Sequence, residues 1–256
     1  MENVATSPTA SSAGPTSRRV TLVTGAARRV GADIARSFAS ANDAIVVHHG
    51  SSPQDAESLA LELRACGALV HVVQADLADA AAPSFIVRET MRVFGALDVV
   101  VSSASVMEWQ AFDEVTPETW NRASDINLRA PFFLMQAAAR VMRDGGCLVQ
   151  MSDHLAFETI FPKLIPHQVT KFALTQLVRT VASAVAPRLR VNAVAPGLVL
   201  APADLTDDAL ARFLKDVPLA RSGSTADVVQ AIHYLVGASY VTGIVLSVDG
   251  GRHLWR

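Results

Sequence analysis

From Arg19 onward the chain alternates short runs of β-branched apolar residues with longer stretches of helical periodicity, and this alternation constrains the fold more than any other feature. The runs are Val20–Val23, Ala44–Val47, Leu69–Val73, Leu97–Val101, Cys147–Met151, Leu189–Ala193 and Ile244–Val248. Between them lie amphipathic stretches such as Arg29–Ser40, Pro53–Cys66, Ala81–Phe94, Pro117–Arg143 and Val169–Ala186. Strands that are apolar on both sides must be covered on both faces, and the intervening stretches are long enough to be helical crossovers. Right-handed crossovers then wind an α/β, Rossmann-like sheet of about seven parallel strands. No repeat or linker divides it, so residues 19–256 are expected to form one domain. Residues 1–18, rich in Ser, Thr, Ala and Pro, offer too little apolar surface to offset the entropy of ordering and read as a disordered tail.

Composition removes several classes of function. The 22 basic and 24 acidic side chains leave a net charge of −2, no footprint for nucleic acid or an acidic membrane surface. No apolar run approaches the roughly 18 residues of a membrane-spanning helix, and no signal peptide is read at the start. The two cysteines, Cys66 and Cys147, are too few for a disulfide framework and lack ligand spacing. His48 and His49, adjacent on a strand, face opposite sides, so no metal is expected. A reducing cytoplasm is the expected compartment.

In a doubly wound sheet, ligands bind beyond the carboxyl ends of the strands, where the winding direction switches. After the first strand comes Thr24-Gly25-Ala26-Ala27-Arg28-Arg29-Val30-Gly31, opening a helix near Val30. Gly25 allows a tight turn, and a helix amino terminus offers free N–H groups to a pyrophosphate. The second strand ends His48-His49-Gly50-Ser51-Ser52 without the carboxylate that usually holds an NAD ribose. Arg28 and Arg29, with hydroxyls at Ser51 and Ser52, suit a 2′-phosphate, and the expected cofactor is NADP(H).

These motifs resemble the short-chain dehydrogenase/reductase family, whose fingerprint is Thr-Gly-x3-Gly-x-Gly. Arg29 stands where the middle glycine should be, a departure shared with the pteridine reductases of that family. The resemblance runs through Ala75-Asp76-Leu77, Asp125-Ile126-Asn127, Asn192-Ala193-Val194-Ala195-Pro196-Gly197 and Val248-Asp249-Gly250-Gly251, covering about residues 19 to 252. It implies cofactor contacts at Asp76 and Leu77 on the adenine side and at Pro196 and Gly197 against the nicotinamide. After the fourth strand, Ser102-Ser103-Ala104-Ser105 replaces the usual Asn-Asn-Ala-Gly, with Ser103, Ala104 and Ser105 beside the cofactor. Asn127 matches the asparagine that in the family holds a water against the catalytic lysine.

The family's Tyr-x3-Lys pair sits on one helix face, one turn apart. Here Lys171 is in place, but His167 stands where the tyrosine should be, and Tyr234 and Tyr240 are remote in sequence. An imidazole can donate a proton near neutral pH, and a carboxylate would support it. Asp153 is the candidate, in the place of the family's serine and of the pteridine reductases' aspartate. It precedes His167 by 14 residues, whereas His154 has the family's spacing of 13, so both alignments stand. The catalytic set is therefore Asp153, His167, Lys171 and Asn127, and the resemblance implies that Lys171 also binds the cofactor at the nicotinamide ribose.

Met107, Trp109, Phe157 and Phe161, with Val106 and Leu198 to Pro202, are expected to wall the substrate pocket, with residues 204–221 as a helical lid. The reading is an NADPH-dependent reductase of a carbonyl or C=N bond in a small, pterin-like molecule. The alternative is a nucleotide-binding relative without redox chemistry, either a structural subunit or a dehydratase or cyclase. Relatives commonly form homotetramers or dimers, and the carboxyl-terminal Trp255 could reach a neighbouring subunit.

Overall fold

The computed structural model describes residues 18–40, 42–157, 161–201 and 206–254. The expected tail lies outside them apart from Arg18, as do Pro202, Asp204 and Trp255.

Seven strands form one parallel sheet: β1 (Arg19–Thr24), β2 (Asp43–His49), β3 (Leu69–Gln74), β4 (Val99–Ser102), β5 (Cys147–Met151), β6 (Arg190–Pro196) and β7 (Val245–Val248). Their order is β3-β2-β1-β4-β5-β6-β7, so the winding direction switches between β1 and β4. β1, β2, β4 and β5 are buried along nearly their whole length, because helices cover both faces. One core gathers Leu22, Val46 and Leu148 under α3 (Ala82–Phe94), α5 (Ala130–Ala139) and α6 (Ile165–Val185). The other gathers Val23, Ile45 and Val149 under α1 (Arg29–Ser37), α2 (Pro53–Ala65) and α8 (Thr225–Gly237). Two more helices complete the order, α4 (Pro117–Ser124) and α7 (Asp207–Lys215). Among the described residues no helix is long and apolar enough to cross a membrane.

Three helices differ from their sequence pattern, and the cause is local each time. The stretch expected as one helix from Pro117 is interrupted at Asp125–Arg129 by a π-turn. Pro131 has no N–H to return to the Asn127 carbonyl, and the ladder widens so that the Ala130 N–H donates to Asp125 O. α6 begins four residues before Val169, because Pro166 fits the first turn, where no N–H is required. His167 thereby falls inside the helix, one turn before Lys171. Among the described residues of the lid expected at 204–221, α7 alone is helical, capped by Thr206 accepting from the Ala209 N–H.

Candidate active site

The carboxyl ends of β1 and β4 part at the switch point and open a cleft of about 430 Å3. Gly25 has φ of +63°, and a Cβ there would lie 2.7 Å from Ala104 Cα, so the two turns close only over a glycine. A Cβ on Gly31 would fall 2.1 Å from the Gly25 carbonyl. No side chain caps α1, which leaves its first-turn N–H groups open at the cleft. Uncapped amides, a backbone that approaches closely and no acid in the first turn together fit a dinucleotide pyrophosphate. Every expected cofactor residue of the first four strands lines this cleft: Gly25, Arg28, Arg29, Val30, Gly31, Ser51, Ser52, Asp76, Leu77, Ser103, Ala104 and Ser105.

Arg28 and Arg29, read together from sequence as one phosphate site, diverge. Arg28 pairs with Asp55 in the first turn of α2, at the end of the cleft where Ser51 and Ser52 sit. Arg29 donates instead to the Leu200 carbonyl at 3.2 Å and lines both this cleft and the pocket beyond it. Consecutive side chains cannot share a direction here, since Arg29 itself adopts φ of +52°.

Among the described residues His48 joins no metal site; it anchors the turn. Its Nδ1 accepts the Gly25 N–H at 3.2 Å, and its Nε2–H donates to the Ala75 carbonyl at 3.0 Å, tying the ends of β1 and β3 together. Burial lowers the ring's pKa to about 4, the Ala75 bond opposing, so it stays neutral. His49 turns its Nδ1 to the Ser52 N–H, and no metal-binding cluster occurs among the described residues.

Asn127 is buried in the π-turn, and its side-chain amide is fully used. Oδ1 accepts from the Val106 N–H at 2.8 Å and the Ser105 hydroxyl at 3.0 Å, while Nδ2 donates to Val106 O and Thr170 Oγ1. The amide therefore braces the turn after β4, and it has no donor or acceptor left for a water on Lys171. Ser105 supplies part of the bracing that the missing asparagines would give.

The reacting groups gather at the end of β5. Asp153 caps a short 3₁₀ turn, His154–Ala156, accepting the Leu155 N–H at 2.9 Å. Its Oδ2 meets His167 Nε2 at 3.1 Å, and its Oδ1 meets His154 Nδ1 at 2.9 Å. Burial pushes this carboxyl up, but the hydrogen bonds and charges of the two imidazoles outweigh it and hold it well below the usual carboxylate range. His167 is buried, with Nδ1 3.0 Å from the Val106 carbonyl. Lys171, one turn on, donates to the Met151 carbonyl at 2.7 Å; burial lowers its pKa to about 8, with the Asp153 charge opposing. Of the two alignments left open, the structure puts Asp153 on His167, while His154 turns to Asp153 and the Pro196 carbonyl.

Known proteins resemble this chain over most of its length. A family model described as enoyl-(acyl carrier protein) reductase matches residues 25–253. An uncharacterized oxidoreductase of Methylorubrum extorquens is 32% identical, over 91% of this chain and 97% of its own length. The chain belongs to the short-chain dehydrogenase/reductase family. A further member, versicolorin reductase 1 of Aspergillus parasiticus, is 33% identical over 91% of this chain and 95% of its own. Among solved structures, a blue fluorescent protein from a metagenomic library, in complex with NADPH, superposes with a TM-score of 0.86 at 32% identity, covering 91% and 97% of the two chains.

In this short-chain dehydrogenase/reductase a second pocket of about 650 Å3 adjoins the dinucleotide cleft. Asp153, His167 and Lys171 line it, together with Met107, Trp109, Phe161, Pro196, Gly197 and Leu198 to Leu200. The Trp109 and Phe161 rings meet edge to face, 5.7 Å between centroids. Phe157 does not line it: the residue ends the 3₁₀ turn and is 42% exposed outside the pocket. Val106, expected in the pocket wall, lines the dinucleotide cleft instead and orients His167 through its carbonyl, while α7 of the expected lid does line the pocket. The task of a backbone carbonyl leaves no trace in residue type, whereas the helical period of the lid does point to α7.

Proposed function

We propose that this member of the family is an NADPH-dependent reductase of an apolar carbonyl compound, with His167 as proton donor in the place of the family's tyrosine. The observation that carries the reading is the contact between His167 Nε2 and Asp153 Oδ2. The Val106 carbonyl can only accept, so it takes the Nδ1–H. An ionised carboxylate can only accept as well, so the second contact needs a proton on Nε2. Asp153 keeps 22% of its side-chain surface exposed, and this edge belongs to the pocket lining.

Bound reduced nicotinamide would supply a hydride to the carbonyl carbon. The carbonyl oxygen takes the Nε2 proton, giving an alcohol and oxidised cofactor, and the neutral ring regains a proton from water. Asp153 holds the ring in register and balances its charge. Lys171 places a cation in the pocket lining, and Asn127 holds the turn whose Val106 carbonyl orients the acid.

For the cofactor, Arg28 with Ser51 and Ser52 supports NADPH over NADH. Its exposed pair with Asp55 is worth at most about 1 kcal/mol, and a 2′-phosphate can displace it. For the substrate, three of the four acceptor positions on Asp153 are occupied, which favours a carbonyl over a pterin that would need this carboxylate for its ring N–H groups. Self-association belongs to the same proposal, with exposed Val169 and Phe172 on α6 as apolar surface for it.

The test is NADPH and NADH titration, then cofactor consumption with apolar ketones and a dihydropterin, on the parent, His167→Phe and His167→Tyr. Ketone reduction that His167→Phe abolishes supports the reading. Tight NADPH binding without turnover on any compound would favour a non-redox relative, and activity created only by His167→Tyr would mark the histidine as a loss.

A further inference from the structure

α7 buries none of its residues in the core, yet Ala209, Arg212 and Phe213, with Asp216 just past its end, line the pocket that holds Asp153 and His167. These positions are three and four apart, so one stripe of the helix is turned to the pocket. Asp207 and Asp208, in its first turn, do not line the pocket, and Asp208, one turn before Arg212, makes no ion pair with it.

Besides His167, the pocket lining carries four lysine and arginine side chains, Arg29, Lys171, Arg212 and Arg252, against the carboxylates of Asp153 and Asp216. Three of these four are engaged. Arg29 donates to Leu200 O and Lys171 to Met151 O, while Arg252 pairs with Asp216 at 3.4 Å and lies 4.5 Å over the Phe213 ring. Arg212 is exposed, with neither a hydrogen bond nor an ion pair to any described residue. The remaining wall is dominated by apolar side chains, among them Met107, Trp109, Phe161 and Leu198. The result is an apolar chamber with its proton donor in the lining and one unspent guanidinium on the helix that covers it.

We propose, resting on the reductase reading above, that the substrate is an amphiphilic carbonyl compound carrying a carboxylate remote from the reacting carbon, and that Arg212 binds that carboxylate. A guanidinium offers two parallel N–H donors to such a group, and the apolar wall takes the rest of the molecule. Arg212 thus selects substrates without touching the reacting atoms.

The experiment compares 7-oxooctanoate, and homologues with shorter and longer methylene spacers, with their methyl esters, which keep the ketone but lose the charge. Parent protein is expected to favour the best keto acid over its ester by about tenfold in kcat/KM, expressed in KM, as fits one charge-assisted contact. In Arg212→Ala that ratio falls to near one, and Arg212→Lys keeps part of it. Equal use of acid and ester by the parent across the series, or a ratio unmoved by Arg212→Ala, overturns the proposal. Calorimetric titration of NADP+-loaded protein with octanoate and 1-octanol separates this from the reductase reading. A preference for octanoate that Arg212→Ala removes supports the anion site even if no ketone is turned over. No such preference overturns the anion site, whatever the enzyme reduces.

Discussion

Asp153→Asn isolates the proton that the proposed chemistry depends on. The carboxylate receives the Leu155 N–H and His154 Nδ1 on Oδ1 and His167 Nε2 on Oδ2. An amide has one oxygen, and the two donors on the Oδ1 side will claim it. The NH2 group then falls opposite His167 Nε2, which can meet it only as a bare acceptor. Nδ1 keeps its hydrogen for Val106, so the ring is held neutral with no proton on the nitrogen at the pocket. Shape is preserved and the acid is lost. General-acid catalysis typically contributes a factor of about 10² to 10⁴, equivalent to about 3–5 kcal/mol of barrier. The expected result is a fall of that size in kcat on the best ketone. NADPH affinity should stay within about twofold, because the pyrophosphate turn and Arg28 lie elsewhere in the cleft. The assay is NADPH consumption at saturating ketone, with the dissociation constant from fluorescence titration. A kcat within threefold of the parent would refute the reasoning, since the proton would then come from a group other than the His167–Asp153 pair.

Other perturbations test the surrounding structure. The folded His48 ring titrates near 4 rather than 6.5, so between those values the unfolded chain binds a proton that the folded chain refuses. Stability should therefore fall as the pH drops through this window, by about 3 kcal/mol at its lower end, and His48→Gln should remove that component from urea-unfolding free energies at pH 7 and 4.5. Lys171 loses its charge near pH 8 in the cofactor-free protein, so the NADPH dissociation constant should begin to rise above that pH, by up to about tenfold per unit, with no such break in Lys171→Met. Arg29→Gly relieves a left-handed conformation costing roughly 1–2 kcal/mol and gives up one exposed bond to Leu200 O; differential scanning calorimetry should show a melting temperature higher by about 2–4 °C.

Some of the site was legible because its signals are local. Gly25 and Gly31 mark a turn that no larger residue could make, and the four-residue spacing of His167 and Lys171 puts them on one helix face wherever the helix begins. Other assignments needed partners distant in the chain. Phe157 and Phe161 looked equivalent in sequence, but only Phe161 meets Trp109, more than fifty residues away. Arg28 and Arg29 looked like one site until Asp55 and Leu200 drew them apart. The partners of the Asn127 amide are not legible in the sequence, because the groups that occupy it come from the β4 turn and α6.

By itself, the sequence determined the parallel sheet, its switch point and the glycine turn that admits a dinucleotide, since periodicity and backbone freedom are properties of neighbouring residues. Only the tertiary structure decided that Asp153 rather than His154 faces His167, that Val106 orients the ring, and that His48 ties β1 to β3. Those pairings arise where strand ends converge, between residues as many as 61 positions apart. No local pattern encodes which donor will meet which acceptor there.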